Sequence, residues 1–332
     1  MLLDKLPRIN LAFLPTPLHE IPNFGKELGG PRLFIKRDDL TGTGFGGNKV
    51  RKLEFLLADA QKKGADVIIT TGHTQSNHAC LTAVSSRKFG MKPILVLEKG
   101  VHVEQGNMLV DAIVDADVRI VDSAEVVQNA MEDCAEEARG EGHTPYLIPR
   151  GGSVPVGTAG YVNACREMLK QMNEQKIKAD HLFLAAGSSG TISGFHVGSK
   201  YFKADFKING VSVRAKKEEL QQRIASLSND TANFLETGAT FTPEEITIYD
   251  GYVGGGYGVT TPECLDAIIL LARTEGIFLD PVYSAKAMSG LIDLIRQKKF
   301  SANDTIIFLA TGGGPSVFAY SDELLARLGE RR

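Results

Sequence analysis

Short apolar runs alternate with stretches of helical periodicity along most of this 332-residue chain. The runs that read as strands are LFIK (33–36), DVIIT (66–70), PILVL (93–97), VRIV (118–121), PYLI (145–148), HLFLAA (181–186), GVSV (210–213) and TIIFLA (305–310). Several are continuous rather than alternating, as expected of parallel strands covered on both faces. Helical patterns fill 49–63, 77–89, 123–138, 158–174 and 261–275. In the first of these, Leu53, Leu56, Leu57 and Ala60 recur at helical spacing, which predicts an apolar stripe with charges on the other face. Strand and helix in repetition predict an α/β fold with mainly parallel sheets. The stretch 203–260 is more polar and less regular, and its topology does not follow from the pattern.

Polar or glycine-rich loops follow four of the strands: TTGHTQSNH, RGGS, GSSGT and TGGGPS. Open α/β sheets bind ligands outside the carboxyl ends of their strands, so these loops predict one site assembled from distant segments. The composition changes this picture little. A net charge of −3 gives no basic footprint for nucleic acid, and no apolar run approaches a membrane span. The N-terminus carries no signal-peptide pattern. Cys80, Cys134, Cys165 and Cys264 are scattered without a CxxC pair. That argues against a zinc site or disulfide framework and for a reducing, cytoplasmic setting.

Three stretches carry candidate chemistry. Gly187, Ser188, Ser189, Gly190 and Thr191 end a strand and open a helix, where free N–H groups and hydroxyls suit a phosphate monoester. The same residues also suit a plain turn with a helix cap. TQSNH, Thr74 to His78, offers hydrogen-bonding side chains at another helix start, again a common capping composition. His73, His78 and Cys80 match no metal-site spacing, and no metal is expected. GFGGNKVRK places Lys49 on a first helical turn beside Arg51 and Lys52. Such a lysine is ordinarily a solvated charge. Facing a site instead, it would have its pKa lowered by the helix dipole and its basic neighbours, and would become a nucleophilic amine. Gly42, Gly44 and Gly47 can be forced into a dinucleotide pattern, but no suitably placed acid follows.

Taken together, GGNKVRKLE, TQSNH, IPRGGS, GSSGT, DPVYSAKAMSGLID (280–293) and ATGGGPSVFAY (310–320) resemble the pyridoxal-phosphate enzymes grouped with D-cysteine desulfhydrase and 1-aminocyclopropane-1-carboxylate deaminase. LPTPL and IKRDDLTG fit the same group, and the resemblance runs from about residue 6 to 320. It implies fold type II, the architecture of the tryptophan synthase β-subunit. A smaller α/β domain, 50–157, is then inserted in a larger one made of 1–49 and 158–332, with the cofactor between them. By the same resemblance Lys49 matches the lysine that carries the cofactor, and residues 187–191 match its phosphate cup. Asn77 matches the partner of the phenolic oxygen, and Ser76 the serine near the substrate carboxylate and Cα, with His78 beside them. Tyr257 and Tyr283 match two active-site tyrosines, and Thr311 falls near the pyridine nitrogen. A homodimer is also implied.

Ser284 and Thr311 bear on the reaction. The cyclopropane deaminases carry glutamate and leucine there. An acid keeps the pyridine nitrogen protonated and deepens the electron sink for ring opening, whereas hydroxyls suffice when a good leaving group departs from Cβ. The pattern resembles D-cysteine desulfhydrase, and also L-cysteate sulfo-lyase. It implies α,β-elimination of D-cysteine to pyruvate, ammonia and hydrogen sulfide. The cyclopropane deaminase, another small amino acid lyase or racemase, and an inert cofactor-binding protein are the alternatives. Cys80 stands where close relatives often carry arginine, which argues against a sulfonate substrate.

Overall fold

The computed structural model describes residues 2–100 and 104–330. The strands are β1 (Leu18–Glu20), β2 (Arg32–Arg37), β3 (Val67–His73), β4 (Lys92–Glu98), β5 (Asp117–Val121), β6 (Pro145–Ile148), β7 (His181–Ala186), β8 (Lys207–Ser212), β9 (Thr247–Tyr249) and β10 (Thr305–Ala310). They form a six-stranded sheet, in the order β1-β2-β10-β7-β8-β9, and a four-stranded sheet, in the order β5-β4-β3-β6. All pairings are parallel except β1 with β2. The four-stranded sheet is drawn wholly from residues 67–148, and the other sheet from the chain on either side.

The continuous apolar runs have their expected cause. In β7, Leu182 and Leu184 face a core beneath α6 (Pro155–Glu174), α7 (Gly190–Phe202) and α8 (Lys217–Phe234), while Phe183 faces the opposite core. That second core lies beneath α1 (Pro22–Leu28), α9 (Pro262–Glu275) and α10 (Ser284–Arg296). Successive strand side chains point to opposite faces, and both faces are buried, so neither set can be polar. The smaller sheet repeats the design. Val67 and Ile69 of β3 face α5 (Val127–Gly140), and Ile68 faces α2 (Asn48–Lys62) and α3 (Asn77–Lys88). Three shorter α-helices are α4 (Asn107–Ile113), α11 (Ser316–Ala319) and α12 (Ser321–Gly329). Among the described residues no helix is long and apolar enough to cross a membrane.

One unassigned stretch resolves, and one expectation needs correction. The 203–260 stretch contains β8, an 18-residue helix and β9. The buried stripe of α8 runs Leu220, Ile224, Leu227, Ser228, Thr231, so small polar residues occupy core-facing positions and blur the apolar period. In α2 the charges do not all lie on a solvent face: Arg51, Lys52 and Glu54 are buried with the leucines. Glu54 accepts backbone N–H bonds from Leu11 and Ala12 and pairs with Arg8. Arg51 joins a buried network. It donates to Asp38 and Glu167, Tyr161 donates to Asp38 at 2.6 Å, and Lys36 donates to Glu167 at 2.6 Å.

Candidate active site

Five parallel strands, β3, β6, β7, β8 and β10, send their carboxyl ends toward one region between the two sheets. Two adjoining chambers lie there and share Lys49, Gly187, Ser188 and Tyr283 as walls. The first is also lined by Asn48, Asn77, Ser189, Thr191 and Thr311. The second adds His73, Ser76, His78, Arg150, Arg214 and Tyr257. Of the residues singled out in the sequence, Gly190 and Ser284 stand just behind the walls, and the rest line them.

The glycine turn before Lys49 explains how a lysine reaches this cavity. Gly46 has φ 72°, and a Cβ there would lie 2.0 Å from the Asp39 carbonyl. Gly312 has φ 83°, and a Cβ there would lie 2.5 Å from the Gly47 Cα. Only glycine permits both the conformation and the approach. The Asn48 N–H then donates to the Thr311 carbonyl at 2.9 Å, pinning the start of α2 to the end of β10. Lys49 projects from this fixed point, and its Nζ makes no hydrogen bond to a described residue. Burial pushes its pKa down to about 8, partly offset by the Asp280 carboxylate. Asp280 itself accepts the N–H groups of Val282, Tyr283 and Ser284 at 3.1, 2.8 and 2.8 Å, closing the first turn of α10.

Lys52 is the second lysine of the site. It does not face water. Its Nζ donates to the Gly151 carbonyl at 3.0 Å and would touch a Cβ placed on Gly190, at 2.6 Å. Burial first, and Lys49 next, hold its pKa well below the usual lysine value. Beside it the α7 N-terminus carries Ser189, at φ 74° in the left-handed region and with a buried Oγ that has no partner. A non-glycine residue in that conformation stores strain of order ~1 kcal/mol, a feature that clusters at ligand sites. N–H groups at the helix start, an orphaned hydroxyl and a buried lysine amine without a carboxylate partner fit a phosphate.

Asn77 is oriented by Asn107, whose amide donates to Asn77 Oδ1 at 2.7 Å, leaving the Asn77 NH₂ for a ligand. Ser76 caps α3 by accepting the Ala79 N–H at 3.2 Å. His78 is buried and bonds Thr70 at 3.0 Å, with burial holding its pKa well below the usual value. Ser284 and Thr311 share a hydroxyl hydrogen bond of 2.9 Å. The Tyr257 and Tyr283 hydroxyls bond each other, and burial raises both pKa values, so both phenols are protonated at neutral pH. Cys80 points away, into an apolar pocket with Phe45, Leu81 and Val84.

Reading the sequence missed Lys52, Asp280, Arg150, Arg214 and Lys286 as parts of this region. Lys286 is fully buried on α10, and its Nζ donates to the carbonyls of Val253 and Gly256, at 2.6 and 2.8 Å. These carbonyls belong to the loop that carries Tyr257. Lys286→Met will release that loop and lower kcat by about tenfold or more, because displacements near 1 Å are costly at a reacting centre. Steady-state kinetics with thermal unfolding as a control will check this; an unchanged kcat in a folded variant would remove the positioning role.

The fold and the cavity define an α/β protein of two mainly parallel sheets that brings a lysine of lowered pKa and the 187–191 turn together. The chain belongs to the family of pyridoxal-phosphate-dependent enzymes: the family model described as "Pyridoxal-phosphate dependent enzyme" matches residues 9–312. It is 42% identical over 330 residues to a Pyrococcus horikoshii protein provisionally named a 1-aminocyclopropane-1-carboxylate deaminase, covering 98% of each chain. A Pyrococcus abyssi protein of the same provisional name is 40% identical over 329 residues, again with 98% of each covered. Among solved structures, an "ACC deaminase homologue" superposes with a TM-score of 0.90 at 40% identity, covering 98% of both chains. The processed form of threonine deaminase isoform 2 from Solanum lycopersicum has a TM-score of 0.65 at 17% identity, covering 98% of this chain and 84% of that one. That distant likeness shows the shared fold, fold type II. The cofactor is pyridoxal 5'-phosphate.

Proposed function

We propose that this enzyme is a lyase that eliminates sulfur from Cβ of a small amino acid, D-cysteine first, releasing pyruvate, ammonia and hydrogen sulfide. The observation that carries the reading is the Ser284–Thr311 hydroxyl pair. By family resemblance these residues meet the cofactor's ring nitrogen, and hydroxyls there favour expulsion of a good leaving group over ring opening.

In this reading residues 187–191 and Lys52 hold the cofactor phosphate, Asn77 its phenolic oxygen and Lys49 its carbonyl carbon. When bound, pyridoxal phosphate supplies the electron sink for the pair left at Cα. The chain does the rest. The substrate carboxylate sits at the N-terminus of α3, where the N–H groups of Asn77 and His78 have no acceptor in the described chain. Lys49 Nζ, with a pKa of about 8, or Ser76 Oγ removes the Cα proton according to substrate configuration. Tyr257 and Tyr283 present protonated hydroxyls to the group leaving Cβ.

The names of the relatives favour a second reading, 1-aminocyclopropane-1-carboxylate deamination. Purified enzyme given each substrate in turn separates the two. Sulfide and pyruvate from D-cysteine, with no 2-oxobutanoate from the cyclopropane acid, is the expected result; the reverse pattern would overturn the elimination reading.

A further inference from the structure

His73 lines the second chamber yet has no part in the scheme above. It ends β3, and the parallel register sets it beside Glu98, the last residue of β4. Its Nε2 stands 3.2 Å from Glu98 Oε2, and the same carboxylate pairs with Arg150. Burial first, and the charges of Arg150 and Arg214 next, push the His73 pKa down to about 4, so the ring is neutral at neutral pH. A neutral imidazole facing a carboxylate keeps its one proton on the facing nitrogen. His73 is thus poorly suited to give a substrate a proton. What its ring touches is Tyr257. The two ring centroids lie 4.4 Å apart, with the planes tilted by 31°. β3 belongs to the four-stranded sheet, and Tyr257 to the loop after β9 of the six-stranded one, so this contact spans the cleft. On its own side of the cleft the Tyr257 ring meets Tyr283 edge-on, at 5.8 Å between centroids. Lys286 fixes the backbone of the loop through the Val253 and Gly256 carbonyls, and ring contacts are left to aim the phenol.

We infer that His73 is a positioning residue, whose ring, set by Glu98, holds the Tyr257 phenol toward the group leaving Cβ. This rests on the elimination reading, in which that phenol gives the leaving group its proton. The step balances without an oxidant. The Cβ–sulfur bond breaks with its pair on sulfur, the phenol protonates the sulfur, and the proton taken from Cα by the base restores the phenol. Water then converts the released enamine to pyruvate and ammonium. Paired rings prefer a narrow range of offsets and tilts, so His73 can fix the direction of Tyr257 by packing alone. The role is therefore tied to the leaving group. A thiolate gains from a well-aimed proton donor, whereas chloride departs without one.

The test compares cysteine with β-chloroalanine, both enantiomers of each, on wild type, Y257F, H73A and H73F. The ratio of kcat/KM for cysteine to that for β-chloroalanine should fall by about 100-fold in Y257F, the scale of losing a proton donor. It should fall by about tenfold in H73A, where the donor remains but is loosened. In H73F, which keeps a ring, it should stay within about twofold of wild type. Equal losses on both substrates in H73A, or an H73F that behaves as H73A, would overturn the positioning role. A ratio that Y257F leaves unchanged would remove Tyr257 as the donor, and the role of His73 with it. If neither amino acid is consumed, the elimination reading itself falls, and hydrogen exchange at residues 254–258 of the cofactor-loaded enzyme decides the rest. Exchange about threefold or more faster in H73A and restored in H73F would still support the contact as what holds Tyr257. Unchanged exchange would reject it.

Discussion

Replacing Lys49 by alanine is expected to lower turnover by about three orders of magnitude or more, the scale of losing the amine proposed to hold the cofactor. The reason is positional. The glycine turn and the Asn48–Thr311 bond leave Lys49 Nζ facing the cavity without a partner, and burial brings its pKa to about 8. At pH 7 about a tenth of such amines are neutral, against fewer than about one in a thousand for an ordinary lysine. Capture of pyridoxal phosphate by cofactor-free protein should therefore quicken about tenfold per pH unit below 8 and level off above it. Borohydride reduction of the loaded enzyme, followed by peptide mapping, should mark Lys49 and leave Lys52 unmarked. Full keto-acid release by the alanine variant, or a mark on Lys52 alone, would sink the assignment.

The second large effect is on stability. Arg51→Met is expected to destabilise the fold by about 3–5 kcal/mol, the cost of stranding a buried charge. Asp38 is fully buried and receives two of the Arg51 hydrogen bonds, both 2.8 Å. Burial alone would raise the Asp38 pKa, but the Arg51 charge and hydrogen bonds outweigh it and leave the carboxyl below its usual value. A depressed folded pKa contributes stability that is complete above the unfolded value, about 4, and is lost as pH falls through the folded one. Urea unfolding of the cofactor-free protein at pH 7 will measure the loss, and adding Asp38→Asn should recover part of it. A shift below about 1 kcal/mol would mean the network is worth no more than a surface pair.

These two residues also mark how far the sequence could be read. The apolar runs in β7 and β10 announced parallel strands because both their faces are buried. The glycine-rich turns announced a site because they sit where strands end. Neither signal says which way a charged side chain turns. Arg51 and Lys52 are adjacent on one helix, yet one enters a salt-bridged core and the other the wall beside α7. That choice depends on Asp38, Glu167 and Gly151, which lie 13, 116 and 99 residues away in the chain. Arg150 and Arg214 were invisible as a pair for the same reason, since they follow strands of different sheets. α8 escaped because Ser228 and Thr231 occupy positions that periodicity reserves for apolar residues.

Lys286 gives the site one further property. Two carbonyl oxygens of a bent loop, 2.6 and 2.8 Å from a positive charge, offer the kind of oxygen ligation that an alkali ion accepts from solution. Here the charge is covalently part of α10 and cannot exchange with the medium. The shape of the Tyr257 loop is thereby insulated from the sodium and potassium content of its surroundings, and no ion need be recruited to hold it.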